Sequence, residues 1–257
     1  MNYVFDKTGI IILAAGRGSR LGCEDIPKVL CRLNGKPMLS YILDTLEKGG
    51  VSKKNICIVL GYQGEKIRKE MGEGYHYAWQ KELLGTAHAA SAGERELPPD
   101  YKNMLVLNGD DSLFYTFKTL SIFVSQHIEN KNHISLLTCE IENPAGMGRV
   151  VRDLHNNVVK IVEKENVSEK EEDIKEISTG TFCFNRNWFK KHYKNLTKIP
   201  GLNEYGLPSF IDKAFENKAK LRAVKLSDPN EWFGVNTPDQ LKEAERRIKN
   251  LQKGQNN

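Results

Sequence analysis

None of the five cysteines stands two residues from another, and none falls in a metal-finger spacing, so CxxC redox chemistry and zinc fingers are excluded. An odd number of cysteines argues against a disulfide framework and fits a reducing compartment. Cys57, Cys139 and Cys183 lie inside apolar runs and are expected as small core residues. No N-terminal stretch has a charged region, an apolar segment and a cleavage site in that order, and no apolar run is long enough to cross a bilayer. A cytoplasmic protein without a membrane partner is therefore the expectation. There is no repeat, no Pro/Ser-rich linker and no low-complexity tract. The excess of one sign of charge is small too. Lys and Arg number 38 against 33 Asp and Glu, a net charge of +5. That surplus suits anionic ligands, but no basic stripe is interleaved with aromatics, which argues against a nucleic-acid partner. His76, His88, His127, His133, His155 and His192 form no ligand spacing, and His88 is expected to be structural, as are the tryptophans Trp79, Trp188 and Trp232.

The 257 residues, 39% hydrophobic and 28% charged, are enough for one sizeable core. Apolar runs at Ile10–Ala15, Ile56–Leu60 and Met104–Leu107 have no polar alternation, the pattern of strands covered on both faces. Helix-period segments intervene at Met38–Lys48, Glu65–Met71 and Thr86–Arg95. Strands alternating with helices predict a mostly parallel, Rossmann-like α/β sheet. Further on, Ser121–Glu129 reads as a helix, and His133–Ile141, Val150–Val151, Val158–Val162 and Gly180–Asn185 as strands. These are closer together and more alternating, which predicts a smaller antiparallel subregion added as a second layer. Lys164–Lys175 reads as an exposed segment. A last helix runs from Pro238 to about Leu251, with Thr237 as N-cap.

The segment GIIILAAGRGSRLGCEDIPKVL, Gly9 to Leu30, sends a buried strand into a cationic glycine loop. The dinucleotide fingerprint does not fit: Gly16 and Gly18 match, but Gly22 comes one residue late, and the next strand ends IVLGYQG without an acidic residue. The lysine and hydroxyl residue of a Walker A loop are missing as well. Two readings remain, a backbone nest for an anion flanked by Arg17, Arg20 and Lys28, and an ordinary βα turn with surface arginines.

The neighbouring motifs decide between them. GRGSR followed by PKVL and GKPML resembles the signature of the sugar nucleotidyltransferases, which join a sugar 1-phosphate to a nucleoside triphosphate and release pyrophosphate. WQKELLGTAHA (Trp79–Ala89), VLNGDDSL (Val106–Leu113), GMGRVVRD (Gly146–Asp153), IVEK (Ile161–Lys164), EISTGTFCFN (Glu176–Asn185) and FGVNTPDQL (Phe233–Leu241) follow in the family's order. Within that family the chain most resembles the uridylyltransferase domain of the enzyme that makes UDP-N-acetylglucosamine, from Ile10 to Leu241.

The resemblance implies a role for each block. Arg20 and Lys28 match the catalytic pair that holds the triphosphate and the attacking phosphate. Their separation is one residue longer than in those relatives. Asp110 and Asn236 match the ligands of Mg²⁺, an ion that often takes one or two protein oxygens and fills its octahedron with phosphate and water. Asp111 competes with Asp110, although its residue type and position suit a turn cap. Leu13, Ala14, Ala15, Gly16, Gly18 and Ser19 match the nucleotide-binding loop. Gln80 and Gly85 match positions that meet the uracil edge, and Thr86 follows them. Asn108, Gly148, Glu163 and Ser178 match acceptor-contacting positions. Two of these depart from the UDP-N-acetylglucosamine members. Ser178 stands for an amide, and Asn108 for a tyrosine.

The expectation is a single domain over 1–257, with a nucleotide-binding part over roughly 1–115, an acceptor part over 116–236 and a closing helix over 237–252. A left-handed β-helix domain with acetyl-transfer activity is not expected. The expected reaction joins UTP and N-acetylglucosamine 1-phosphate with Mg²⁺ as cofactor. The same chemistry with CTP, dTTP or another phosphorylated alcohol is the near alternative. A catalytically silent regulatory protein that binds a nucleotide sugar would have lost charge at Arg20, Lys28 or Asp110, and all three are present.

Overall fold

A computed structural model describes residues 3–18, 21 and 26–254. In chain order the strands are β1 (Thr8–Ala14), β2 (Arg32–Leu33), β3 (Lys36–Pro37), β4 (Ile56–Leu60), β5 (His76–Trp79), β6 (Asn103–Asn108), β7 (Ile134–Glu140), β8 (Arg149–Arg152), β9 (Val158–Val162), β10 (Glu176–Asn185) and β11 (Leu221–Lys225). The helices are α1 (Met38–Lys48), α2 (Gly64–Met71), α3 (Thr86–Glu96), α4 (Phe117–Glu129), α5 (Arg186–Tyr193), α6 (Ser209–Glu216) and α7 (Pro238–Gly254).

Among the described residues the strands form one nine-stranded sheet in the order β11-β7-β10-β6-β1-β4-β5, with β8 and β9 branching from β10. A small β2–β3 hairpin stands apart from it. β1 lies between β6 and β4, parallel to both, and β4 is parallel to β5. The unbroken apolar run of β1 has the cause expected of it. Ile10 and Ile12 pack into the layer of α1, α2 and α4, while Ile11 faces the layer of α3, α5 and α6. A third apolar cluster joins Leu21, Leu33 and Leu113 to Ala244 and Ile248 of α7.

The antiparallel strands depart from the sequence expectation in placement. β10 pairs antiparallel with β6 and with β7, so these strands continue the main sheet and do not stack on it as a second layer. Only the β8–β9 hairpin leaves the row. Spacing along the chain shows that strands are near in sequence, whereas their place in a sheet is set by which edge offers unpaired backbone groups. β5 and β11, edge strands with several half-exposed positions, carried too weak an apolar signal to be predicted, and α5 and α6 were missed as well.

The three cysteines expected in the core are buried and free. Burial pushes the Cys57 thiol up to about 12 and Cys139 to about 11. Cys31, by contrast, is disulfide-bonded. Among the described residues, no helix is long and apolar enough to cross a membrane.

Candidate functional site

Strand register brings the site together. Ala14 of β1 pairs with Leu60 of β4, Leu60 with Trp79 of β5, and Leu13 with Asn108 of β6. Four carboxyl ends therefore lie in a row, the edge of a parallel α/β sheet where ligands bind. Backbone bonds tie the loops that leave it: Gly109 N–H donates to Leu13 O at 2.9 Å, Tyr62 N–H to Ala15 O at 3.1 Å, and Gln80 N–H to Leu60 O at 2.8 Å.

A cavity of about 290 Å³ opens at this edge, lined by Leu13, Ala14, Ala15, Gly16, Lys28, Gln80, Gly85, Thr86, Asn108 and Asp110. Gly18 lies beside the Lys28 stem. Ser19 and Arg20 are outside the described residues. Arg17 is exposed, and its guanidinium lies over the Tyr62 ring, 5.5 Å from the centroid.

Lys28 opens a short 3₁₀ turn after Pro27 and is 7% exposed. Its ammonium forms a salt bridge with Asp110 and donates to Asn236 Oδ1 at 2.8 Å. Asn236 comes from the far end of the chain and is held by a capping box. Gln240 Oε1 accepts from Asn236 N–H at 2.7 Å and Thr237 N–H at 3.1 Å, and Thr237 Oγ1 accepts from Gln240 N–H at 3.3 Å. The N-cap expected at Thr237 is present. Two hard oxygen donors from distant segments thus converge on one cation, a donor set that fits Mg²⁺. Asp111 lines the same space as Asp110 and Asn236, but its carboxylate accepts from two side chains, Asn108 Nδ2 at 3.0 Å and Ser112 Oγ at 3.3 Å, and not from the backbone N–H groups of the turn cap expected of it. Burial, then the neighbouring Asp110 carboxylate, raises its pKa well above the ordinary value.

The acceptor candidates form a second cavity of about 180 Å³, where Gly148, Glu163 and Ser178 meet Thr86, Asn108 and Gly180. Its wall is the start of β10, which bulges between Ser178 and Phe182. Gly180 makes this bend at φ +75°. The β8–β9 hairpin closes the other side through a two-pronged bond. Arg152 Nε and Nη2 donate to the Glu176 carboxylate at 2.8 and 2.6 Å. Burial opposes ionisation of Glu176, but the bonds from Arg152 and Thr138 prevail and hold its pKa below the usual value. The Glu163 pKa is raised by burial, then by Glu165. A third cavity of about 480 Å³ joins Asp110, Asn236, Asn108 and Thr86 to Lys164 and Trp232. Thr86 and Asn108 line all three cavities, so the three spaces adjoin.

The structure thus brings together every described candidate. It also adds residues that sequence reasoning missed. Glu204 lines the first cavity, Leu207 and Pro208 the second, and Lys164 and Gln240 the third. Thr86 Oγ1 accepts from Leu207 N–H at 2.9 Å, linking the first two. Loop residues distant in sequence carry no periodic signal. Trp232 is half-buried at the third cavity and donates from Nε1 to Thr179 O at 3.2 Å, while Trp79 is 41% exposed and not a core residue. His88, expected as structural, bonds Gln80. A larger groove of about 960 Å³ between α1 and α7 contains none of the candidates.

Comparison with known proteins agrees with this arrangement. The family model described as nucleotidyl transferase matches residues 9–250. The bifunctional protein GlmU of Heliobacterium modesticaldum is 36% identical over 239 residues, covering 93% of this chain and 51% of that protein. GlmU of a Geobacillus species is 37% identical over 243 residues, covering 93% and 51%. The chain therefore spans about half the length of these relatives. A crystal structure described as that of a glucose-1-phosphate thymidylyltransferase from Bacillus anthracis superposes with a TM-score of 0.74 at 22% identity, covering 93% of this chain and 94% of that one, and shows the same fold.

Proposed function

Because the chain belongs to the nucleotidyl transferase family, we propose that it joins UTP to a sugar 1-phosphate, N-acetylglucosamine 1-phosphate first, and releases pyrophosphate. The observation that carries this reading is the meeting of Lys28 with Asp110 and Asn236 where the three cavities adjoin. A triphosphate and a sugar phosphate repel each other, so a site that joins them must first gather positive charge.

In this reading residues 1–115 hold the nucleotide, 116–236 the acceptor, and the helix over 237–252 closes the site by carrying Asn236 to Asp110. Gly16 and its neighbours offer backbone donors to the phosphates. Gln80 and Gly85 meet the base, while Asn108, Gly148, Glu163 and Ser178 meet the acceptor. A phosphate oxygen of the acceptor bonds to the α-phosphorus, and the bond from that phosphorus to the bridging oxygen of pyrophosphate breaks. The attacking oxygen is already ionised, so no general base is needed and positioning dominates. Asp110 and Asn236 would hold Mg²⁺, which when bound supplies neutralising charge to the α- and departing phosphates. Lys28 supplies a second fixed charge, and Arg20, from outside the described residues, is proposed as its partner.

The acceptor is the part most open to a second reading. Asn108 and Ser178, the two departures from the UDP-N-acetylglucosamine members, both line the second cavity, which favours testing other phosphorylated acceptors. The experiment is pyrophosphate release with Mg²⁺, each nucleoside triphosphate and a panel of sugar 1-phosphates. Release with UTP and N-acetylglucosamine 1-phosphate is expected. Release with another pairing corrects the substrates, and none with any pairing overturns the activity.

A further inference from the structure

Gln80 is 5% exposed and leads from the end of β5 into the nucleotide cavity. Its Nε2 donates to the carbonyl of Gly85 at 3.0 Å and lies 3.0 Å from Nδ1 of His88, in the first turn of α3. A carbonyl can only accept, so the amide group turned toward Gly85 must be the NH₂. Both of its hydrogens then have acceptors, provided the His88 imidazole keeps its own proton on Nε2. Oε1 of Gln80 has no partner among the described residues, and neither does the Gly85 N–H.

From this geometry we propose that His88 is a positioning residue that locks the Gln80 amide in one orientation and thereby excludes cytosine. The inference rests on the reading of this cavity as a base site. An acceptor at Oε1 and a donor at Gly85 N–H complement the N3–H and adjoining carbonyl of uracil or thymine. Cytosine offers the reverse, a lone pair at N3 beside an amino group, so acceptor would face acceptor and donor would face donor. To admit cytosine at Oε1 the amide would have to flip, which sets Oε1 against Gly85 O and, while the His88 proton stays on Nε2, against the lone pair of Nδ1. Without His88 only one of those two oppositions remains.

The test is calorimetric binding of UTP, dTTP and CTP with Mg²⁺ to the wild type, His88→Leu and His88→Asn, which needs no knowledge of the acceptor. Wild type is expected to bind UTP and dTTP about ten- to a hundredfold more tightly than CTP. In His88→Leu that preference should shrink to a few-fold, mainly through tighter CTP binding, since one of the two oppositions to the flipped amide is gone. His88→Asn, whose Oδ1 can accept near the position of Nδ1, should restore most of it. Equal or reversed preference in the wild type overturns the lock, and so does an unchanged ratio in His88→Leu. Should His88→Leu fail to fold, a His88→Asn ratio as low as that of a nonselective site overturns it. If none of the three nucleotides binds, the base site itself is refuted. Tight, selective binding without pyrophosphate release in the panel assay would instead refute the activity alone.

Discussion

Lys28 Nζ donates to Asn236 Oδ1 at 2.8 Å across 208 positions of sequence, and the same ammonium pairs with Asp110. The lysine therefore occupies the point where the two oxygen donors would hold a divalent cation. Like charges 4 Å or less apart repel by several kcal/mol at the dielectric of a partly buried site, so a bound metal would displace the ammonium from between these two oxygens toward the phosphates it helps to hold. Lys28→Ala should raise the affinity of the nucleotide-free protein for Mn²⁺ about tenfold, read by paramagnetic resonance titration. Turnover in the same variant should fall by at least about a hundredfold. Weaker Mn²⁺ binding in the variant would show that Lys28 supports the cation site and does not compete for it.

Asp110→Asn removes the only formal negative charge from the pair of proposed ligands. Turnover with Mg²⁺ should drop at least about a hundredfold. The side chain is 31% exposed and Lys28 keeps its bond to Asn236, so the thermal transition should move by only a few degrees. Pyrophosphate release and a calorimetric melt measure the two effects. Unchanged activity would remove Asp110 from the metal site.

Gly85 has φ +100°, and a Cβ there would lie 2.7 Å from Tyr205 O. Gly85→Ala combines backbone strain with a backbone clash, a cost of about 2–5 kcal/mol. Ala87 N–H donates to Tyr205 O and Tyr205 N–H to Leu84 O, so the loop cannot retreat without losing these bonds. Urea unfolding should show the loss of stability, and UTP binding should weaken with it. A variant as stable as wild type would mean that the loop yields freely.

His127 on α4 is 1% exposed, and its Nδ1 lies 2.9 Å from Ser135 Oγ. Burial, helped by nearby His133, lowers its pKa to about 4. A depressed histidine stays neutral in the folded state while the unfolded chain takes up a proton. Its contribution is fully present above the unfolded value near 6.5 and is lost as pH falls toward 4. Between pH 7.5 and 4 this residue should account for about 3 kcal/mol of lost stability. Urea unfolding at several pH values should show a shallower slope in His127→Leu than in wild type. Equal slopes would assign the acid sensitivity to other groups.

Much of the scaffold was legible because its signal is local. β4 and α1 have the bounds expected from apolar periodicity alone, and β1 and β6 differ from expectation by a residue or two at their ends. β5 and β11 escaped notice because an edge strand keeps much of its surface exposed and need not be apolar. Lys28, Asp110 and Asn236 could be named from short motifs in family order. That one ammonium touches both of the others could not, since Asp110 and Asn236 reach it from segments 82 and 208 residues away.

The sequence by itself determined which segments are strands buried on both faces, and which short motifs carry anion-binding chemistry, because burial pattern and residue type are properties of neighbouring residues. Tertiary structure decided that the antiparallel strands extend the main sheet, that Asp111 is held by the Asn108 amide, and that His88 grips Gln80. Each of these depends on which groups meet across long stretches of chain, and only the packed fold brings them within hydrogen-bonding distance.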